Sequence, residues 1–162
     1  MPLLTLGHDR VVGQSDIPPY WIDMSRLFEL FVFQKLRNAV GSEGRVEYQF
    51  AAHYQYLDFL CKAPGLTQPF FIADAKYKPT YERSNNKDDL RQVAGYARLT
   101  KVESTLRGAD WGWDSATRLI PCLIVYPTLK SGAEKLDLHH GMVRISGWTE
   151  FYKIEVSIPV KH

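Results

Sequence analysis

Two apolar stretches of this chain are each interrupted by an aspartate. The first reads Tyr56-Leu57-Asp58-Phe59-Leu60 and the second Phe71-Ile72-Ala73-Asp74-Ala75-Lys76. Both are rich in residues that favour strands, and Ala63-Pro64-Gly65 marks a turn between them. Side chains alternate along a strand, so Asp74 and Lys76 point to one face, which Asp58 reaches from the neighbouring strand. A carboxylate in an apolar run is costly or gives up its charge unless something compensates it. One compensation is a buried ion pair with Lys76, with backbone donors serving the other aspartate. The alternative is a hard divalent cation, Mg2+ or Mn2+, held by the carboxylates. Lys76 would then orient or help deprotonate an attacking water, while the metal lowers that water's pKa and stabilises charge on a phosphate. Such an arrangement suits hydrolysis of a phosphodiester.

The rest of the chain sets limits on this reading. With 162 residues there is room for one core and no second catalytic module. Hydrophobic residues at 45% and charged residues at 23% exclude a disordered chain. A formal charge of +2 says nothing about polyanions, but from Lys76 to Arg107 basic residues outnumber acidic ones eight to four. That segment is expected to follow phosphates. No apolar run approaches the ~20 residues that cross a bilayer. Gly7, His8, Asp9 and Arg10 stand where a signal peptide needs its apolar stretch, so a cytoplasmic protein without a membrane partner is expected. Cys61 and Cys122 suit neither a disulfide framework nor a thiolate metal site and read as small buried residues. No phosphate-binding Gly-x-x-x-x-Gly-Lys-Ser/Thr loop is present, so nucleotide hydrolysis by this chain is not expected.

Residues 1–20 read as an N-terminal arm and residues 21–162 as a single domain. From Asp23 to Val40 apolar residues recur at helical spacing, with Asp23 as the cap and Gly41 at the end. Leu30 and Phe33 make that helix apolar nearly all round, which predicts a central position. Strands are predicted for Arg45 to Ala52, His53 to Lys62 and Pro69 to Lys76. A polar loop follows from Pro79 to Asn86, and a helix opens at Asp88-Asp89, favoured by its dipole, and runs to about Val102. Arg107 to Ser115 reads as a loop whose Trp111 and Trp113 cover a core edge or stack on a base. Leu119 to Tyr126, Met142 to Ser146 and Phe151 to Ile158 complete the strands, and His139-His140 reads as a solvated turn.

Three further residues stand out against this frame. Glu29 places a charge beside Val32, Phe33 and Leu36 on the first helix. It is either favoured by the helix dipole or completes a metal shell with Asp58 and Asp74. Gln92 and Tyr96, four apart, share one face of the second helix. They either fill core space, bonded to a carbonyl, or position the site or a phosphate.

Asp58, then Asp74-Ala75-Lys76, preceded by a helix bearing Glu29 and followed by Gln92-x-x-x-Tyr96, resembles the PD-(D/E)xK nuclease superfamily in its RecB-like branch. The segments Ile22 to Val32, Ile72 to Pro79, Asp89 to Ala97 and the strand ending Val125-Tyr126-Pro127 are similar to the McrC nuclease subunit of 5-methylcytosine-type restriction systems. The resemblance implies a restriction-endonuclease-like α/β fold, a central mixed β-sheet flanked by helices. It also implies Mg2+-dependent DNA cleavage as the cutting subunit of a McrBC-like defence system, with DNA and a McrB-type AAA+ GTPase or ATPase motor as partners. Under it Asp58, Asp74 and Glu29 are metal ligands, Lys76 is the catalytic lysine, and Gln92 and Tyr96 are the auxiliary motif. Cutting both strands of a duplex needs two such sites, hence an expected homodimer or paired assembly. Two departures are present: Tyr56-Leu57 replaces the Arg-Pro often found before Asp58, and only about twenty residues precede the first helix. The second leaves open a fragment or a stand-alone RecB-like repair nuclease, and a catalytically silent DNA-binding or assembly subunit is the non-enzymatic alternative.

Overall fold

The computed structural model describes residues 22–78, 86–114, 116 and 119–159. The expected arm and most of the Pro79 to Asn86 loop lie outside the described residues. Helix α1 (Met24–Val40) starts at Asp23, whose side chain accepts the amides of Ser25 and Arg26, and ends at Gly41. Strands β1 (Arg45–Ala52), β2 (Gln55–Lys62) and β3 (Phe70–Ala75) follow. Helices α2 (Lys87–Ala97) and α3 (Thr100–Arg107) lead to β4 (Cys122–Thr128), β5 (Val143–Arg144) and β6 (Phe151–Ser157).

The six strands form one mixed sheet in the order β1-β2-β3-β4-β6-β5. β1, β2 and β3 pair antiparallel, whereas β3–β4 and β4–β6 are parallel. A parallel neighbour needs a long crossover, and α2 and α3 supply it between β3 and β4. Helix α1 covers one face through Phe28, Val32, Leu36 and Val40, packed on Phe59, Ala73, Leu123 and Val125. Helices α2 and α3 cover the other through Leu90, Val93, Val102 and Leu106, packed on Leu60, Ile72, Cys122 and Ile124. This is the helix-flanked mixed sheet that the sequence predicts. Both cysteines are buried, and burial pushes their thiol pKa values up. No described helix is long and apolar enough to cross a membrane.

Several expectations need correction. Helix α1 is not apolar on all sides of a core: Met24, Leu27 and Leu30 are 42%, 49% and 44% exposed. The sheet offers only one face to it, so one stripe of four residues is buried. His53 belongs to a turn and not to β2. It and Tyr54 have φ of 47° and 61°, closing a two-residue hairpin between Ala52 and Gln55. The single helix expected up to Val102 is two. On one continuous helix Val102 would lie about 180° away from Val93, and the break at Arg98-Leu99 lets both face the core. Strand β4 begins only after Pro121, which lacks the amide a central strand needs. Trp111 and Trp113 are buried, covering a core edge, and His139-His140 is an exposed turn.

One irregularity shapes the sheet next to the site. In β1, Val46 and Tyr48 pack on the α1 side, but Phe50 and Ala52 pack on the α2 side. In β2, Phe59 and Cys61 pack on the α1 side, but Leu57 joins Leu60 on the other. Unbroken alternation forbids both changes. The hairpin therefore rolls over at Gln49 and Asp58, and Gln49 carries a left-handed φ of 52° inside a strand.

Candidate active site

Strand β3 is buried along its whole length, so any polar side chain on it must find a partner or a ligand. Asp74 shares the α2-side face with Ile72, as strand alternation requires. The β2–β3 register runs from Lys62↔Phe70 to Phe59↔Ala73. One further step along β2, where the strand rolls over, brings Asp58 level with Asp74. The Asp58 Oδ2 accepts the Ala75 amide at 2.8 Å. The two aspartates thus approach from adjacent strands, at the point where β2 departs from simple alternation.

Asp74 is 3% exposed. Its Oδ2 pairs with the Lys76 ammonium at 2.7 Å. Burial, then the Asp74 charge, pushes the Asp58 carboxyl up to about 7. Burial raises Asp74 likewise, against the pull of Lys76. For Lys76, burial disfavours the charge, but the adjacent Asp74 outweighs it and holds the ammonium above its usual range. Lys76 therefore carries its charge as a donor in the metal-free site. Its Nζ donates to Gln92 Oε1 at 2.9 Å, and Gln92 Nε2 donates to Tyr96 Oη at 2.9 Å. Gln92 is exposed and Tyr96 is buried. The amide is thus oriented by its two bonds and not by burial.

Glu29 approaches from α1, part-buried, and its charge acts against both aspartates. Its Oε2 accepts Tyr48 Oη at 3.3 Å, Gln49 Nε2 at 3.4 Å and Arg26 at 3.3 Å. Among the described residues no three His, Cys, Asp or Glu side chains are gathered to hold a metal ion. The structure brings Asp58 and Asp74 together and sets Glu29 beside them. Two carboxylates still fit Mg2+, which keeps most of its waters and takes one or two protein carboxylates with substrate oxygens. The enclosed Asp74, paired with a single ammonium, and the raised Asp58 carboxyl mark a site short of positive charge.

A second polar cluster lies behind the first and was missed in the sequence. Asp89, 5% exposed, accepts Lys78 Nζ at 2.7 Å and Tyr126 Oη at 3.4 Å. Burial, then Asp89, raises the Tyr126 hydroxyl pKa. Asp89 also sits in the first turn of α2, where an aspartate has an ordinary explanation. A second lysine, Lys78, follows Lys76 just beyond β3, in a turn closed by the Lys78 amide on the Lys76 carbonyl, and was the available signal.

No family model matches the sequence, and no curated protein matches it. Among solved structures, a chain of the refined half-complex from a tetradecameric assembly of Thermococcus gammatolerans McrB AAA+ hexamers with bound McrC is similar to this one. The TM-score is 0.50 at 17% identity, covering 84% of this chain and 28% of that chain. The likeness is one of fold, and it agrees with the restriction-endonuclease-like arrangement of a mixed sheet between helices. The chain spans 28% of the length of the chain it matches.

Proposed function

We propose that this protein is a divalent-cation-dependent nuclease that hydrolyses DNA phosphodiesters within a McrBC-like restriction system. The observation that carries the reading is the convergence of two enclosed carboxylates, Asp58 and Asp74, beside the single Lys76 ammonium. A structural ion pair with one backbone donor satisfies Asp74 and Asp58 only in part, because a single ammonium faces two enclosed carboxylates and the Asp58 carboxyl is pushed up to about 7. Asp58 and Asp74 are the residues that would hold Mg2+ or Mn2+, which when bound supplies charge neutralisation and a more acidic water. Glu29, whose charge acts on both aspartates, would serve as a proton acceptor next to a bound ion.

Lys76 carries its positive charge into the site and donates to a non-bridging phosphate oxygen, stabilising charge that grows as the phosphodiester is attacked. Gln92 fixes the direction of that ammonium, and Tyr96 fixes Gln92. Lys87 and Arg91 on α2 and Arg98 at its C-cap are exposed, which gives a polyanion a basic approach to the site. The McrB AAA+ hexamers in the similar complex support a motor partner of that type, with this chain as the cutting unit.

The test incubates supercoiled and linear DNA with the protein, with Mg2+, Mn2+ or chelator, beside Asp74→Ala and Lys76→Ala. Metal-dependent cleavage lost in both variants is expected. Cleavage that survives chelation or either substitution would overturn the assignment.

A further inference from the structure

Gln49 is the residue on which the hairpin turns over, and nothing in its chemistry requires a left-handed backbone. A residue with a Cβ adopts φ of 52° at a cost, and inside a strand that cost gains nothing from turn formation. Where such strain persists, the surrounding structure holds it for a purpose or by over-determination. The hydrogen bonds of β2 and β3 show what it changes. Ala63 donates to the Pro69 carbonyl, so hydrogen-bonded pairs recur at every second step: Cys61 with Phe71, Phe59 with Ala73, then Leu57 with Ala75. The last pair is not made. Leu57 has turned to the α2 side with Phe50, its partner across β1, and the β2–β3 ladder stops at Phe59. The Ala75 amide, freed from the Leu57 carbonyl, is taken by the Asp58 carboxylate instead.

We infer that Gln49 is a positioning residue: its left-handed backbone rolls the β1–β2 hairpin over, ends the ladder one step early, and so hands the Ala75 amide to Asp58 and aims that carboxylate at the Asp74 site. The Gln49 side chain adds a longer bond to Glu29, at 3.4 Å, but the backbone does the positioning. This deepens the proposed function, since Asp58 and Asp74 are taken there as the metal-holding pair.

The test is a substitution series at position 49, graded by tolerance of positive φ: Gly, then Ala, then Val, with Ala51→Val as a control on the exposed side of β1. Two readouts are taken. In metal-free protein, scalar coupling across the hydrogen bond identifies the acceptor of the Ala75 amide. Calorimetric titration with Mn2+ then measures affinity. Gln49→Gly is expected to keep Asp58 as acceptor and to bind Mn2+ within about threefold of wild type, because glycine adopts the conformation freely. Gln49→Val is expected to return the amide to the Leu57 carbonyl and to weaken Mn2+ by about tenfold, the size of a left-handed penalty. If the valine variant does not fold, Gln49→Thr, also β-branched, carries the same expectation at about fivefold with the Ala75 acceptor changed to Leu57, and Ala51→Val stays at wild type.

Wild-type affinity in the folded β-branched variant, with Ala75 still bonded to Asp58, overturns the inference. So does a glycine variant as impaired as valine, which would assign the effect to the Gln49 amide. Should wild type itself not bind Mn2+, the proposed function fails while the Ala75 acceptor still decides whether Gln49 positions Asp58.

Discussion

Replacing Asp58 by asparagine should make the metal-free protein more stable at pH 8, although it removes a residue of the site. In the native protein the Asp58 carboxyl is pushed up to about 7 by burial and by Asp74, against about 4 in an unfolded chain. Between those values the native state holds the proton that the unfolded chain has released. Native stability therefore falls as pH rises through this window, and the whole penalty is present above it. Three pKa units correspond to about 4 kcal/mol. Solvent reaching the part-buried carboxylate reduces this to about 2 kcal/mol at an effective dielectric suited to such sites. Asparagine keeps an oxygen to accept the Ala75 amide and carries no charge. The melting temperature of Asp58→Asn should exceed that of wild type by roughly 4–8 °C at pH 8 in chelator, since about 1 kcal/mol shifts a domain of this size by 2–4 °C. The gap should close as pH falls toward 4. Mn2+ should raise the wild-type midpoint and leave the variant nearly unmoved. A variant that melts below wild type at pH 8, or that gains as much from Mn2+, would refute the reasoning.

Other perturbations test separate parts. Tyr96→Phe removes the hydroxyl that accepts Gln92 Nε2, and cleavage should fall about tenfold with unchanged DNA affinity, a kcat effect of the kind expected from lost orientation. Phe59→Ala empties a fully buried site stacked against Phe33 and Tyr48. It should cost about 3–5 kcal/mol in urea unfolding. Changing the turn residues His53 and Tyr54 to Asn and Gly suits two left-handed positions and should add about 1 kcal/mol. Equal or lower stability would refute the turn assignment.

The chemistry was more legible in the sequence than the backbone that presents it. Asp58 and Asp74 stood out because charge inside an apolar strand violates a strong rule, but alternation alone does not describe how Asp58 reaches the site, since β2 rolls over there. Gln92 and Tyr96 followed from helical spacing. Gln49 gave no signal, because Val46, Tyr48, Phe50 and Ala52 read as one unbroken alternation. The roll-over moves half of them to the opposite face without altering the pattern. Asp89 was hidden by the adequacy of a helix-dipole explanation. The split between α2 and α3 was invisible to a test that asks only for apolar residues at three and four. The phase of Val102 and Leu106 against Val93 carried the information. The exposed stripe of α1 shows the converse limit: apolar residues on a helix state what it can bury, and the single sheet face it meets decides what it does bury.

The central claim is that Asp58 and Asp74 form one carboxylate site for a divalent cation beside Lys76. Calorimetric titration of wild-type protein with Mn2+, beside folded Asp74→Ala, tests it most directly. Saturable binding by wild type that vanishes in the variant is the predicted result. No binding by wild type, or binding that persists without the Asp74 carboxylate, would contradict it.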